Sequence, residues 1–457
     1  MSRPEELHFL TVAEAGQRIR EGSLSPTTYV ETLIERVRRL DPMLRSTITL
    51  ASASTLESAQ AAESELDRGV WRGPLHGIPI GIKDSIATAG LCTTANSRVL
   101  SDWIPADDAP SVAALRAAGA IVFAKLNLNE FAWSIPSEDD LYPPPRNPWS
   151  PDHFAMGSSS GSAVAVASGL CPAALGTDAG GSVRQPAANC GAVGLKPTHG
   201  LIDSSGALGA RTICEVGPIT RTVEDAALLL GALVGGNASY VDSLRQSPGR
   251  MRVGVLSRHI DLAQPDPQIF AAFSEALRAM GDLGVEIKEV EIEGLAKAAA
   301  ANFLVLNAEA FATHEETLRA RMQDYGRSAR LYHVQGAFLS AADYIAALSV
   351  GAAVRGRVDD SLLAVDAIAT PVVPVLTAEA ARTAKAQPHT GGSAIFTAPF
   401  NLTGHPAIAI PCGMSRDGIP IGLQLVGRRG GEADLVRLAY ALEQATPWHA
   451  MHPPLEA

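Results

Sequence analysis

From about residue 75 onward, short apolar runs alternate with helix-patterned segments, and this alternation limits the possible folds more than any other feature. Ile78–Ile82, Ala120–Lys125 and Pro172–Gly176 are too short for helices. Helical patterns at 110–119 and Ser162–Leu170 lie between them. Strands that are apolar at successive positions must be covered on both faces. The pattern therefore predicts an α/β sheet with helices on both sides. Further on, Arg252–Leu256 and Val285–Val290 read as strands around a helix at 266–282. Ile368–Leu376, Ala407–Pro411 and Ile419–Val426 read as strands, and 432–445 as a closing helix. Residues 11–69 read as helical, with Ser25 and Pro26 as an N-cap and first-turn pair. Thr222 likewise opens a helix with acidic residues in its first turn. The stretch 142–151, YPPPRNPWSP, reads as loop. Residues 295–364 read as mostly helical and suited to cap a site. No repeat or low-complexity linker divides the 457 residues, so one continuous domain is expected.

Within that framework, Met156–Ser182 is the densest Gly/Ser stretch, two turns flanking an apolar segment. The first turn is Gly157-Ser158-Ser159-Ser160-Gly161, and the second runs from Gly176 through Thr177, Asp178, Ala179, Gly180 and Gly181 to Ser182. Glycine admits positive φ and close backbone approach. Successive amides in such a turn form a concave donor site for an anion, the geometry an oxyanion requires. Upstream, Lys83 closes the apolar run that begins at Gly77. An ordinary lysine is protonated at neutral pH, whereas burial disfavours the charge and makes the amine a competent base. Each feature alone has a plain structural explanation: a surface turn, or a lysine paired with Asp84. Two such turns bracketing an apolar segment, downstream of that lysine, are harder to explain as loop structure.

Charge and composition narrow the partners. A formal net charge of −11, without a basic stripe, excludes nucleic acid as the main partner and a basic membrane-binding face. No uncharged apolar run reaches the roughly 18 residues of a membrane span, and MSRPEELHFL contains no signal-peptide core. A soluble, cytoplasmic protein is expected. The cysteines Cys92, Cys171, Cys190, Cys214 and Cys412 form no C-x-x-C pair and read as free thiols. The histidines show no paired ligand spacing, so neither a metal nor another cofactor is expected.

Longer segments carry more information. HGIPIGIKDSI, AKLNLNEFA, RNPW at 146–149, GSSSGSA, GTDAGGSVRQPAANCGAVGLKPTHG and VGPITRTVEDAALLL follow one another, and TAPFNLTGHPAIAIPCG and DGIPIGLQLVG come later. In these segments the chain resembles the amidase signature family. The 24 positions from Ser158 to Ser182 and the 99 from Lys83 to Ser182 are similar to the family's intervals. The resemblance implies one large domain with a central mixed, mostly parallel twisted sheet, covered by helices on both faces. Its parts would be a helical N-terminus at 1–70, a signature core at about 76–225, a helical cap at about 295–365, and a C-terminal part at 366–457. It implies hydrolysis of a linear amide, anilide, or urea- or carbamate-type bond through a seryl acyl-enzyme. Ser182 would be the nucleophile, Ser158 a bridging serine after a cis peptide, and Lys83 the base acting through Ser158. The amides of Ala179, Gly180, Gly181 and Ser182 would form the oxyanion hole. Asp178, Arg184, Ser159 and Thr177 would support these loops. The family also includes the catalytic subunit of a tRNA-dependent amidotransferase, which is the alternative, and homodimers are common in it.

The chain departs from the family pattern at Met156, where a glycine is usual, and at Cys214, where an aspartate is frequent. Competing motifs fit less well. Gly157–Gly161 matches G-x-S-x-G around Ser159, but RNPWSPDHFA before it is not a buried strand. His199, His333, His389, His405 and His449 would be the histidines available to such a site. Gly191–Thr198 lacks the P-loop spacing, and Pro197 follows Lys196, which reads as structural. Cys190 reads as a small buried residue. Specificity resides in loops, and the expected walls are Phe131–Tyr142, 300–345 and 389–400. Phe131, Trp133, Ile135, Leu141, Tyr142, Phe303, Phe338, Ile395 and Phe396 are the candidate lining. They point to a small-molecule amide with a small or medium hydrophobic group over a charged one.

Overall fold

The structure, a computed structural model, describes residues 7–138, 140–236, 239–377 and 392–455. His389 and the first part of the 389–400 wall lie outside the described residues. The strands are β1 (Thr47–Leu50), β2 (Pro79–Lys83), β3 (Ile121–Leu126), β4 (Arg146–Asn147), β5 (Ser150–Phe154), β6 (Ala173–Asp178) and β7 (Val193–Lys196), followed by β8 (Glu215–Thr220), β9 (Arg252–Val255), β10 (Glu286–Glu289), β11 (Ala367–Pro371), β12 (Ala407–Met414) and β13 (Pro420–Val426). Eleven of them join one sheet in the order β1-β3-β2-β6-β8-β7-β12-β13-β11-β9-β10.

The strands β2, β3 and β6 are buried at every position, as expected for runs without polar alternation. The sheet is mixed, as expected. Parallel pairing is confined to two blocks, β3-β2-β6 and β11-β9-β10. The other six of its ten pairings are antiparallel among the described residues, a larger share than the mostly parallel sheet expected. One of the six follows from connectivity. β12 and β13 are joined by a tight turn at Ser415–Gly418, which permits only an antiparallel pair.

Helices cover this sheet. Ser160–Ala167 packs on β2, β6 and β8, Arg184–Cys190 on β7, β12 and β13, and Pro267–Asp282 on β12 and β13. The helix starts follow their sequence signals. Ser25 Oγ accepts from Thr28 N–H ahead of Pro26–Leu44, and Thr222 Oγ1 accepts from Asp225 N–H ahead of Val223–Leu233.

Two local expectations are corrected. The span 11–69 is not wholly helical, because β1 interrupts it and pairs with the sheet edge at β3. Its sequence, TITL, is rich in β-branched residues that suit a strand. The proline-rich stretch 142–151 is not all loop, since β4 and β5 form a small antiparallel ribbon there. Asn147 Oδ1 accepts from Trp149 N–H at 2.9 Å and makes the turn between them.

Residues 295–364 form the helices Leu295–Arg321, Arg327–Val334 and Ala341–Ala364. Val305 and Leu306 of the first pack with Val354 and Val358 of the third. Among the described residues no single helix is long and apolar enough to cross a membrane.

One glycine sets how closely the first Gly/Ser turn sits against the sheet. A Cβ at Gly161 would come within 2.4 Å of Asn127 N and 2.5 Å of Ser46 O, both backbone atoms. Gly161→Ala is therefore expected to push the helix Ser160–Ala167 off its seat and to lower stability by about 1–3 kcal/mol. A lowered melting temperature checks this, and an unchanged one contradicts it.

Candidate active site

Lys83 is the last residue of β2 and is fully buried. Its Nζ lies 2.8 Å from Ser158 Oγ and 2.8 Å from Thr177 Oγ1. Among the described residues no carboxylate touches it. Asp84, its neighbour in sequence, turns the other way, toward Thr94 and, at 3.7 Å, Lys125. Burial lowers the Lys83 pKa from 10.5 to about 7, and the more distant Cys214 and Asp178 only partly oppose this. A neutral amine has one lone pair and two N–H groups. Two neighbouring hydroxyls therefore suit it better than they suit an ammonium with three donors to place.

The two Gly/Ser turns are stapled together. Ser159 Oγ donates to Thr177 O and accepts from Thr177 N–H, each at 3.2 Å, and Ser159 N–H donates to Ser182 O at 3.1 Å. The peptide between Gly157 and Ser158 is cis. Met156, in place of a glycine, has an ordinary negative φ, so the turn does not need glycine there.

A buried ion pair holds the second turn. Asp178 accepts from Arg184 Nε at 3.0 Å and Nη2 at 2.9 Å, and from Asn401 Nδ2 at 2.9 Å. Burial alone would raise its pKa, but the Arg184 charge and these donors outweigh it and hold the carboxyl below the usual range. The remaining Arg184 donors reach Gln424 Oε1 and Asn401 Oδ1, each at 2.6 Å, and Thr397 O at 3.1 Å. Gly181 has φ +122°, and a Cβ there would sit 2.3 Å from Thr397 Oγ1, so only glycine fits.

Of the four amides expected in the oxyanion hole, Gly181 N–H already donates to Asp178 Oδ1 at 2.7 Å. Those of Ala179, Gly180 and Ser182 make no protein hydrogen bond among the described residues. Ser158 and Ser182 do not hydrogen-bond each other directly, but both line the same cleft.

The cleft consists of two adjoining chambers that share Ser158, Ala179, Ser182, Trp133 and Leu306. Of the expected lining, Phe131, Trp133, Ile135 and Phe303 are there. The others are corrected. Ile395 and Phe396 are buried in the main core, and Phe338 is 83 % exposed on the outer surface. Leu141 and Tyr142 lie apart from the cleft, Tyr142 facing a groove beside Asn127 and Pro143. Apolarity alone could not distinguish these places, because core, cleft and surface all accept a lone apolar side chain.

Sequence reasoning missed Leu208, and it did not single out Leu306, His314 and His333 within the expected wall 300–345. The signal for Leu306 and His314 was available: with Phe303 and Ala310 they recur at three- and four-residue spacing, the single helix face turned to the cleft. Cys214, the other departure, lines the cleft near Lys83, its thiol pushed up to about 12 by burial.

The remaining motifs are structural. Lys196 Nζ donates to Pro197 O, Cys190 is buried, and the described cysteines are free. Among the described residues no cluster of His, Cys, Asp and Glu could hold a metal ion.

Comparison with known proteins gives consistent results. Residues 28–436 match the family model described as Amidase. The chain is 33 % identical to a glutamyl-tRNA(Gln) amidotransferase subunit of Moorella thermoacetica, over 98 % of this chain and 99 % of that protein. Among solved structures, it is similar to 6-aminohexanoate cyclic dimer hydrolase (TM-score 0.88, 28 % identity, 98 % of this chain and 99 % of that one). It is also similar to the native peptide amidase of Stenotrophomonas maltophilia (TM-score 0.84, 30 % identity, 97 % and 98 % covered).

Two outcomes are expected. If the amine of Lys83 must be unprotonated to act, kcat/KM should fall about tenfold per pH unit below pH ~7 and level off above it. A rate independent of pH between 5 and 7 contradicts this. Arg184→Met leaves the Asp178 carboxylate buried and uncompensated, which is expected to cost about 3–5 kcal/mol. Urea denaturation of the two proteins measures it.

Proposed function

The chain belongs to the amidase signature family, and from that membership we propose that it hydrolyses a linear, uncharged amide through an acyl-enzyme on Ser182. The observation that carries this reading is the buried Lys83 amine in contact with the Ser158 hydroxyl, in a cleft shared with Ser182.

In this mechanism Lys83 takes the Ser158 proton as Ser158 takes that of Ser182. Ser182 Oγ then bonds to the substrate carbonyl carbon. The carbonyl oxygen becomes an oxyanion facing the amides of Ala179, Gly180 and Ser182. Collapse breaks the C–N bond, and the proton held on Lys83 returns through Ser158 to the leaving nitrogen. Water then takes the place of the amine and frees the acid. With its amide donated to Asp178, Gly181 shapes the turn and does not donate to the oxyanion.

A second reading, the catalytic subunit of an amidotransferase, is supported by the identity to a component of such an enzyme over nearly the full length of both chains. The same serine chemistry would release ammonia from a primary amide. The cleft favours the first reading. A glutamine substrate brings an α-carboxylate and an ammonium, which require charged partners when desolvated. Lys83 apart, the residues described around the cleft are uncharged, and burial lowers the pKa of His314 to about 3 and of His333 to about 4, which keeps both imidazoles neutral.

Ser182→Ala and Lys83→Ala are each expected to lower amide hydrolysis by ~10⁴-fold or more while the protein stays folded. Wild type should show the acyl mass on the peptide containing Ser182. Substrates should include neutral anilides, primary amides, ureas, carbamates and glutamine. Fastest turnover of glutamine would favour the amidotransferase reading, and activity retained in both variants would remove the serine mechanism.

A further inference from the structure

The chamber that holds Ser158 and Ser182 is also walled by four rings, Phe131, Trp133, His314 and His333. Phe131 meets the His314 ring edge-on at 4.3 Å between centroids, and His314 meets His333 edge-on at 4.6 Å. Beside them the wall is aliphatic, from Leu208 and Leu306. Rings in such a wall favour a further ring by offset stacking or edge contact.

His333 adds a directional element. Its Nδ1 lies 2.8 Å from Ala329 O. A carbonyl only accepts, so Nδ1 carries the proton of the neutral ring, and Nε2 is left as an acceptor. Among the described residues Nε2 makes no hydrogen bond, and its ring lines the chamber. An accepting nitrogen in a wall that is otherwise mostly apolar is poorly explained by packing, for which leucine or phenylalanine would suffice.

We propose that His333 is a specificity-determining residue, its Nε2 accepting a hydrogen bond from a hydroxyl or N–H on the ring-bearing part of an aromatic amide substrate. The proposal rests on the amide-hydrolase reading of the cleft and adds the substrate class: uncharged aryl amides with a hydrogen-bond donor on the ring. The substrate ring lies in the chamber of Phe131 and His314, and its donor group points at His333. A site built to accept a donor discriminates against analogues that lack one, because its own polar atom is then left unpaired.

The test uses the full-length protein and two substrate series. One consists of acetanilides and the other of benzamides, each with ring hydroxyls at the ortho, meta and para positions and with the matching methyl ethers. In wild type, one hydroxylated isomer in one series is expected to exceed its methyl ether in kcat/KM by about tenfold, mainly through KM. His333→Phe should collapse that ratio toward one. His333→Gln, which retains an accepting oxygen, should keep part of it, and thermal melts establish that both variants are folded. The inference is overturned if no isomer is preferred by wild type, or if the preference survives in His333→Phe. If folded wild type leaves every amide intact and Ser182 is never acylated, the hydrolase reading falls and this inference with it. If amides are cleaved but hydroxyl and ether are treated alike, only this inference falls.

Discussion

A carboxylate and a guanidinium with no access to water, Asp178 and Arg184, tie the turn after β6 to the far end of the chain. Desolvating two charges is costly, and their attraction offsets the cost only when the remaining donors and acceptors are also satisfied. Here they are. Arg184 spreads its N–H groups over Asp178, Asn401, Thr397 and Gln424. Gln424, on β13, then donates to Thr370 Oγ1 on β11 and to Phe396 O. The turn after β6 is thereby registered against residues that lie more than 200 positions later in sequence. Its amides face the cleft because Asp178, held from one side by Arg184, holds Gly181 and Val183 from the other.

The low-dielectric interior that strengthens this pair also changes the chemistry of Lys83. Lys125 makes a useful contrast. It too is fully buried, and burial lowers its pKa to about 8, but it lies near Asp84 and gives its protons to Ile86 O, Thr88 and Thr93. A lysine with that many acceptors holds loops in place. Among the described residues Lys83 has two hydroxyls and no carboxylate in contact, so desolvation is less opposed and the amine is freer to exchange a proton. The difference between a structural lysine and a basic one thus lies in the neighbours that folding supplies.

The helices at 295–364 complete the cleft and give it its character. Asn302 Nδ2 donates to Ala179 O at 2.9 Å, so the same helix that brings Phe303, Leu306 and His314 to the cleft also fixes the turn between Asp178 and Ser182. Trp133 bridges the two sides, stacked on Phe303 and bonded through Nε1 to Asn307 Oδ1. The cap helices and the turn after β6 are therefore joined by direct contacts.

Much of this was legible in the sequence. The alternation of apolar runs set the α/β layering, since period and length report which faces of a segment are dry. The glycines marked where backbone must pass close to backbone, as at Gly161 and Gly181, and Lys83, Ser158 and Ser182 stood out because their segments resemble a known family's. What only the tertiary structure decided was partnership. Asp84 sits next to Lys83 in sequence yet serves Lys125; Gly181 gives its amide to Asp178; Phe338 faces solvent while His314 and His333 face the cleft. A sequence records the residue at each position, whereas pKa, hydrogen-bond choice and cleft lining depend on distances of a few ångströms between groups far apart in the chain, and those distances exist only once the chain has folded.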